Sequence, residues 1–369
     1  MKKKLLSVLL AGAMCLSMTA VSGIEADAAG VEVGIVLPTK DEPRWLQDQA
    51  QFEAILGDAG FTNQVLFSQG SSATERTNVE TLLNAGIKVL IICAQDAAAA
   101  SAAVEEAKDA GVTVIAYDRL ITGTEAVDYY VTFDSMAVGA AQGQYLLDNM
   151  PEGETEIPLY LYAGAATDNN AFLFFEGAWE TLQPKIADGT LKIANSSEAE
   201  ALKDKQVLER ADQSKIIGQV TTDWDFNVAK SKAESNLTAA GADAKGDVLI
   251  LAPNDGTSRS IADVFVTDPD ITSYQITGQD TEKASVQYVI DGKQSMTVFK
   301  DTRKLAADSV AMAVAILNGE VPETDTTYDN GVKEVPSKQT DIQVVTKDNV
   351  QEVLIDSGYY EASDFTGLE

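Results

Sequence analysis

The 369-residue sequence predicts an α/β protein built from two doubly wound parallel-sheet lobes. Two observations carry this: a short unit repeated through the first half, and a second series of similar size behind it. The repeat is a helix-like segment, then Ala-Gly, then an apolar β-branched run. Ala59-Gly60 leads into 61–67, Ala85-Gly86 into 87–92 and Ala110-Gly111 into 112–116. The three glycines are 26 and 25 residues apart, the length of one βα unit. Glycine just past a helix end suits a left-handed cap. Unbroken Val/Ile/Leu runs suit strands covered on both faces, as in parallel sheets. Val33–Leu37 opens the series.

In the second series, 158–162 reads as a strand and 169–184 as a helix. Then follow a weaker strand at 216–221, a helix over 226–240 and a strong strand at 247–251. Strands at 273–277 and 295–299 precede an alanine-rich helix over 305–317, which Asn318-Gly319 ends. The charged stretch 195–214 reads as a surface excursion. Two βαβ series in one chain argue for two lobes, and the chain is too long for one ordinary core.

Residues 1–29 have the pattern of a secretory signal. Lys2, Lys3 and Lys4 precede an apolar stretch over 5–21, and Ala26-Asp27-Ala28 spaces small residues as a signal peptidase requires. Cys15 follows Met14, where a lipoprotein signal has a small residue, which argues against a lipid anchor; the expected product is exported, either periplasmic or associated with the cell surface. No later stretch is long and apolar enough to span a bilayer. Cys93 is the one cysteine beyond the leader; it lies in the apolar run 89–93 and reads as core, with no internal disulfide possible.

There are no histidines, which excludes histidine triads, histidine metal sites and imidazole acid–base chemistry. The net charge of −30 excludes nucleic acid and anionic lipid as partners and favours solubility. Gly-x-Gly-x-x-Gly, phosphate-loop and calcium-loop patterns are absent. No cofactor is implied.

Ligands of doubly wound sheets bind beyond the carboxyl ends of the strands. There the sequence places Lys40, Arg44 and Trp45; Asp96; Asp118 and Arg119; Asp168 and Asn170; Asn254 and Asp255; Asp280; and Lys300 with Asp301. Carboxylates accept, amides do both, arginine donates in a fork, and tryptophan covers an apolar C–H face. This set suits a neutral polyol better than an anion. Each residue alone has a plainer reading. An aspartate after a strand also serves as a helix N-cap, which applies equally to Asp96, Asp168 and Asp301. Lys40 and Arg44 also suit a solvated face, and Trp45, Trp179 and Trp224 also suit a core. Asp118, Asp255 and Asp280 also fit a glycosidase carboxylate pair. The polar character of seven successive strand ends favours a binding cleft.

The strand-end motifs resemble those of the type I periplasmic sugar-binding proteins, nearest the xylose and multiple-monosaccharide receptors of ABC transporters. The motifs are Pro38-Thr39-Lys40, Arg44-Trp45, Tyr117-Asp118-Arg119-Leu120, Phe133-Asp134, Asp168-Asn169-Asn170, Asn254-Asp255-Gly256, Gly278-Gln279-Asp280 and Phe299-Lys300-Asp301. Ser135 stands where that family has asparagine after Phe-Asp. The resemblance implies two lobes on a three-crossing hinge, with crossings near Asp134, Gly278 and Phe299. It implies a first lobe of 30–134 plus 279–299 and a second of 135–278 plus 300–369. It implies a monosaccharide held by Lys40, Arg44, Trp45, Asp118 and Arg119 from the first lobe. Asn170, Trp224, Asn254 and Asp255 answer from the second, with Asp280 and Lys300 at the hinge edge. The implied protein is a non-enzymatic monomer that delivers sugar to a membrane permease. The rival expectations are a sugar sensor serving a receptor kinase or chemoreceptor, and a carbohydrate-active hydrolase.

Overall fold

A computed structural model describes residues 30–368. The expected signal segment 1–29 lies outside the described residues. The chain first builds β1 (Val33–Leu37), α1 (Pro43–Asp58), β2 (Asn63–Phe67), α2 (Ser72–Asn84), β3 (Val89–Ile92), α3 (Ser101–Asp109), β4 (Thr113–Tyr117) and β5 (Tyr129–Phe133). Gly60, Gly86 and Gly111 each follow a helix with φ of 83°, 85° and 79°, a conformation that only glycine adopts without strain. The Ala-Gly repeat is therefore a set of helix stops that turn the chain back into the sheet.

The second body contains α4 (Ser135–Asp148), β6 (Ile157–Leu161), α5 (Asn169–Ala187), β7 (Leu191–Ile193), α6 (Ser197–Ala201), α7 (Arg210–Val220) and α8 (Phe226–Ala239). It continues with β8 (Gly246–Leu251), α9 (Asp255–Phe265), β9 (Ile271–Ile276), α10 (Lys283–Ile290) and β10 (Thr297–Phe299). The chain then runs through α11 (Thr302–Leu317), β11 (Thr326–Asp329), β12 (Glu334–Thr340) and β13 (Gln343–Val345).

The first sheet has the order β11-β12-β5-β4-β3-β1-β2, parallel except for the β11–β12 pair. Its inner strands β1, β3, β4 and β5 are buried on both faces. Val36 packs with Leu82 and Val104 on one side, while Val33, Ile35 and Leu37 pack with Phe52 and Leu305 on the other. The second sheet, β7-β6-β8-β9, is all parallel. A β10–β13 pair extends it through a bridge between Gln279 and Val298. Helices α4 and α5 approach so closely that a Cβ on Gly139 would lie 1.9 Å from the Phe174 carbonyl oxygen.

Two expectations need correction. First, the lobes exchange two segments. β12 pairs with β5 and α11 packs on α1, β3 and β4, so 302–340 belongs to the first lobe. α10 and β10 share a core with Val345, Val350 and Leu354, so 279–299 belongs to the second. The crossings therefore fall near Asp134, near Lys300 and near Asp341; Gly278 lies inside the second lobe. Second, 216–221 is the end of helix α7 rather than a strand. Gln213, Ile216, Ile217 and Val220 are its buried stripe, spaced as one helix face. The 195–214 excursion is partly anchored: Trp179 Nε1 donates to the Lys205 carbonyl at 2.9 Å, and Leu208 is buried. Cys93 is fully buried and free.

Candidate functional site

The carboxyl ends of both sheets face each other across one narrow polar cleft lined from both lobes. The loop after β1 turns into α1 at Pro43, and the helical turn carries Arg44 and Trp45 inward. Asp118 and Arg119 follow β4 directly. From the second lobe, Asp168 caps α5, Asn170 and Phe174 lie one turn apart on it, and Asn254 caps α9. Gln279 and Asp280 follow β9, and Lys300 follows β10 at the hinge crossing.

Three buried ion pairs make the wall. Arg44 Nη2 lies 2.5 Å from Asp118 Oδ2, Arg119 Nε lies 2.9 Å from Asp168 Oδ2, and Lys300 Nζ lies 2.7 Å from Asp280 Oδ1. The last contact is a charge pair that misses hydrogen-bond alignment. Arg119–Asp168 joins the two lobes, as does Asn170 Nδ2, which donates to the Asp118 carbonyl at 2.7 Å. Burial alone would push the Asp118 carboxyl up, but Arg44, Lys300 and Arg119 outweigh it and hold it below the usual range. Burial raises Asp168 despite Arg119. Burial also pushes Glu42, half-buried at the cavity mouth, up to about 7; Arg119 opposes this, and Asp280 and Glu282 add to it.

The aromatic groups orient these charges. The Arg44 and Arg119 guanidinium carbons lie 4.5 and 5.4 Å from the Trp45 ring centre, and Lys300 lies 5.5 Å from Phe174. Trp224 donates from Nε1 to Asp168 Oδ2 at 3.2 Å and lies flat on Gly164, where a Cβ would sit 2.1 Å from the indole. Three lining residues hold left-handed backbone: Asp118 (φ 62°), Trp224 (φ 60°) and Asp280 (φ 97°). Such geometry costs of order 1–3 kcal/mol per residue and persists where the surroundings enforce it. At Asp118 the carbonyl is held by Asn170, by the Tyr130 hydroxyl at 2.8 Å and by Thr132 at 3.2 Å.

Nine of the expected residues meet here: Arg44, Trp45, Asp118, Arg119, Asn170, Trp224, Asn254, Asp280 and Lys300. Two do not. Lys40 is exposed and lies over the Phe67 ring at 4.8 Å, because the chain has not yet entered α1. Asp255 is buried away from the cavity. It accepts from the Glu282 backbone N–H at 2.9 Å and from Gln294 at 2.8 Å, tying α9 to α10. Asp168 is both N-cap and wall, whereas Asp301 caps α11 and pairs with Arg303, and Asp96 accepts from Ala98 and Ala99 in the turn before α3. Glu42, Phe174 and Gln279 were missed. Phe174 had a usable signal, one helical turn beyond Asn170, and Gln279 sits within the Gly-Gln-Asp motif. The Gln279 Oε1 acceptor is buried without a protein partner. Among the described residues no acidic or thiol cluster could hold a metal, and no helix is long and apolar enough to cross a membrane.

Two lobes on three crossings, closed over one charge-balanced polar cavity, define a solute-binding receptor of the cleft type. The periplasmic binding protein domain matches residues 33–321, and the chain belongs to that family. It is 36% identical over 368 residues to the multiple sugar-binding periplasmic receptor ChvE of Rhizobium radiobacter, covering 98% of this chain and 99% of that protein. It is 29% identical over 351 residues to the D-xylose-binding periplasmic protein of Escherichia coli, covering 95% and 97%. A carbohydrate transporter solute binding protein from Chloroflexus aurantiacus, solved in complex with D-glucose, superposes with a TM-score of 0.89 at 65% identity. That match covers 91% of this chain and 98% of the other.

Proposed function

We propose that this protein is the extracytoplasmic receptor of an ABC sugar importer and closes around one monosaccharide of the glucose, xylose, galactose or arabinose class. The observation that carries the reading is the charge balance of the wall. Arg44, Arg119 and Lys300 are each matched by an aspartate, so the cavity holds many fixed donors and acceptors with little net charge. A neutral polyol satisfies such a wall, while an anion or cation would upset it. Gln279 Oε1 adds a spare buried acceptor. The bound D-glucose of the Chloroflexus protein and the name of the E. coli relative support a pyranose.

The physical step is a population shift. A sugar touching Asp118 on one lobe and Asn254 on the other binds the closed form better than the open one, and so favours closure. No covalent chemistry is asked of the carboxylates, and the receptor hands its sugar to a membrane permease. The export pattern at the amino terminus and the acidic, nucleic-acid-averse charge agree with a secreted monomer. Calorimetric titration with xylose, glucose, galactose, arabinose and ribose, one at a time, tests the reading. One-site binding at micromolar affinity or tighter without turnover supports it; no heat with any of the five removes it.

A further inference from the structure

Four acids line the cleft: Glu42, Asp118, Asp168 and Asp280. Three are spent on cations, Asp118 on Arg44, Asp168 on Arg119 and Asp280 on Lys300. Glu42 differs: among the described residues no ammonium or guanidinium stands within ion-pair distance of its carboxylate. Its place in the chain explains this freedom. Glu42 is the N-cap of α1, with extended backbone (φ −95°, ψ 119°), yet its side chain makes no capping bond. Capping oxygens belong to short side chains such as Ser, Thr, Asp and Asn, which reach back to the first free N–H groups of the helix. Glutamate is one methylene longer, and Pro43 behind it has no N–H to offer. The turn closes through the backbone instead, where the Trp45 N–H donates to the Glu42 carbonyl at 3.2 Å. Across the cleft the caps Asp168 and Asn254 each give an oxygen to their own helix, accepting from the Asn170 and Thr257 N–H groups at 2.9 and 3.3 Å. The groups that act on the Glu42 carboxyl come from both lobes. Burial is the largest effect and lifts it to about 7; Arg119 and the Trp45 indole N–H oppose this, and Asp280 and Glu282 add to it.

We propose that Glu42 is a specificity-determining residue of the cleft, whose carboxylate accepts a hydrogen bond from one hydroxyl of the bound sugar. The inference rests on the monosaccharide reading of the cleft and names a contact within it. A hydroxyl is the donor this carboxylate lacks: it fits a narrow cleft and brings no charge to disturb the three ion pairs. A site built around a hydroxyl rejects the analogue that lacks it, because the buried acceptor is then left unpaired. Glu42 therefore discriminates among sugars by the presence and orientation of a single hydroxyl.

The test is calorimetry of the parent, Glu42→Ala and Glu42→Gln with D-glucose, D-xylose, D-galactose and L-arabinose, then with the monodeoxy analogues of whichever binds tightest. The Glu42 side chain makes no ion pair and no capping bond, so both variants fold as the parent does. The expected result is that Glu42→Ala loses about tenfold or more in affinity for the tightest sugar. Glu42→Gln keeps an acceptor oxygen and loses less. One monodeoxy analogue, weak on the parent, binds Glu42→Ala as well as the complete sugar does. If Glu42→Ala holds that sugar within about twofold of the parent, the carboxylate does not meet it. The proposal is equally overturned if Glu42→Ala weakens the sugar and every monodeoxy analogue by the same factor, the mark of an effect through charge or closure. If the parent binds none of the four sugars, the reading on which the proposal rests falls instead.

Discussion

Asp118→Asn isolates one acceptor of the cavity with little change in shape. Asp118 Oδ2 is committed to Arg44 at 2.5 Å, and Oδ1 accepts no hydrogen bond among the described residues. In the variant the guanidinium still demands an oxygen, so the new amide nitrogen takes the place of Oδ1. A sugar hydroxyl that donated there then meets a donor. Hydrogen bonds to charged groups contribute about 1.5–3 kcal/mol, or about ten- to 150-fold in Kd. The Arg44 pair also loses its full charge, so some stability is lost, though the backbone brace on the Asp118 carbonyl is untouched. Glucose titration of both proteins, with urea unfolding in parallel, reads the two effects separately. A folded variant whose Kd stays within about twofold of the parent would refute the assignment of Asp118 to the sugar.

Three further outcomes follow from the same geometry. Lys40→Ala leaves monosaccharide affinity unchanged in titration, because Lys40 lies on the surface over Phe67; a loss beyond about tenfold would return it to the site. Gly139→Ala drives a methyl into the Phe174 carbonyl, and overpacking of this kind costs about 1–3 kcal/mol or more, visible as a lower urea midpoint; an unchanged midpoint counts against the close α4–α5 approach. Burial pushes the carboxyl of Glu75 from 4.5 up to about 7, against the Gln95 backbone N–H that it accepts at 2.7 Å. The folded state therefore holds a proton that the unfolded chain releases, and stability falls as pH rises from 4.5 to about 7. Glu75→Gln keeps the acceptor and removes the charge, so its advantage over the parent grows across that window to about 3 kcal/mol by order of magnitude. A difference that is flat with pH would contradict the raised value.

The run from β1 to β5 and most of the wall were legible because both are local. A Val/Ile run, a glycine stop and a polar strand end fall within one βα unit, and the parallel topology brings such ends together. What was missed depends on distant partners or on helix phase. β12 carries Pro336 and mostly polar residues, and its place beside β5 is set by pairings such as Thr340 with Phe133, for which nothing nearby in sequence gives notice. Ile216 and Ile217 looked like a strand as a pair, yet with Gln213 and Val220 they mark a helical face. Asn254 and Asp255 are adjacent, but one is the N-cap and the other the first turn of α9. The helical rotation between them sends Asn254 to the cavity and Asp255 to α10.

The late arrival of β12 has a consequence for biosynthesis. A growing chain that has reached α11 already contains β1 to β5, but β5 then has no neighbour on its far side. It presents Tyr129–Phe133 as a raw edge of hydrogen-bonding groups, open to any other extended chain. The first lobe cannot close its sheet until residues 334–340 have been made, about two hundred positions after the strand they cover. Such a polypeptide gains from reaching its final compartment before it folds, and an intracellular pool held back from export would be the population most prone to aggregate.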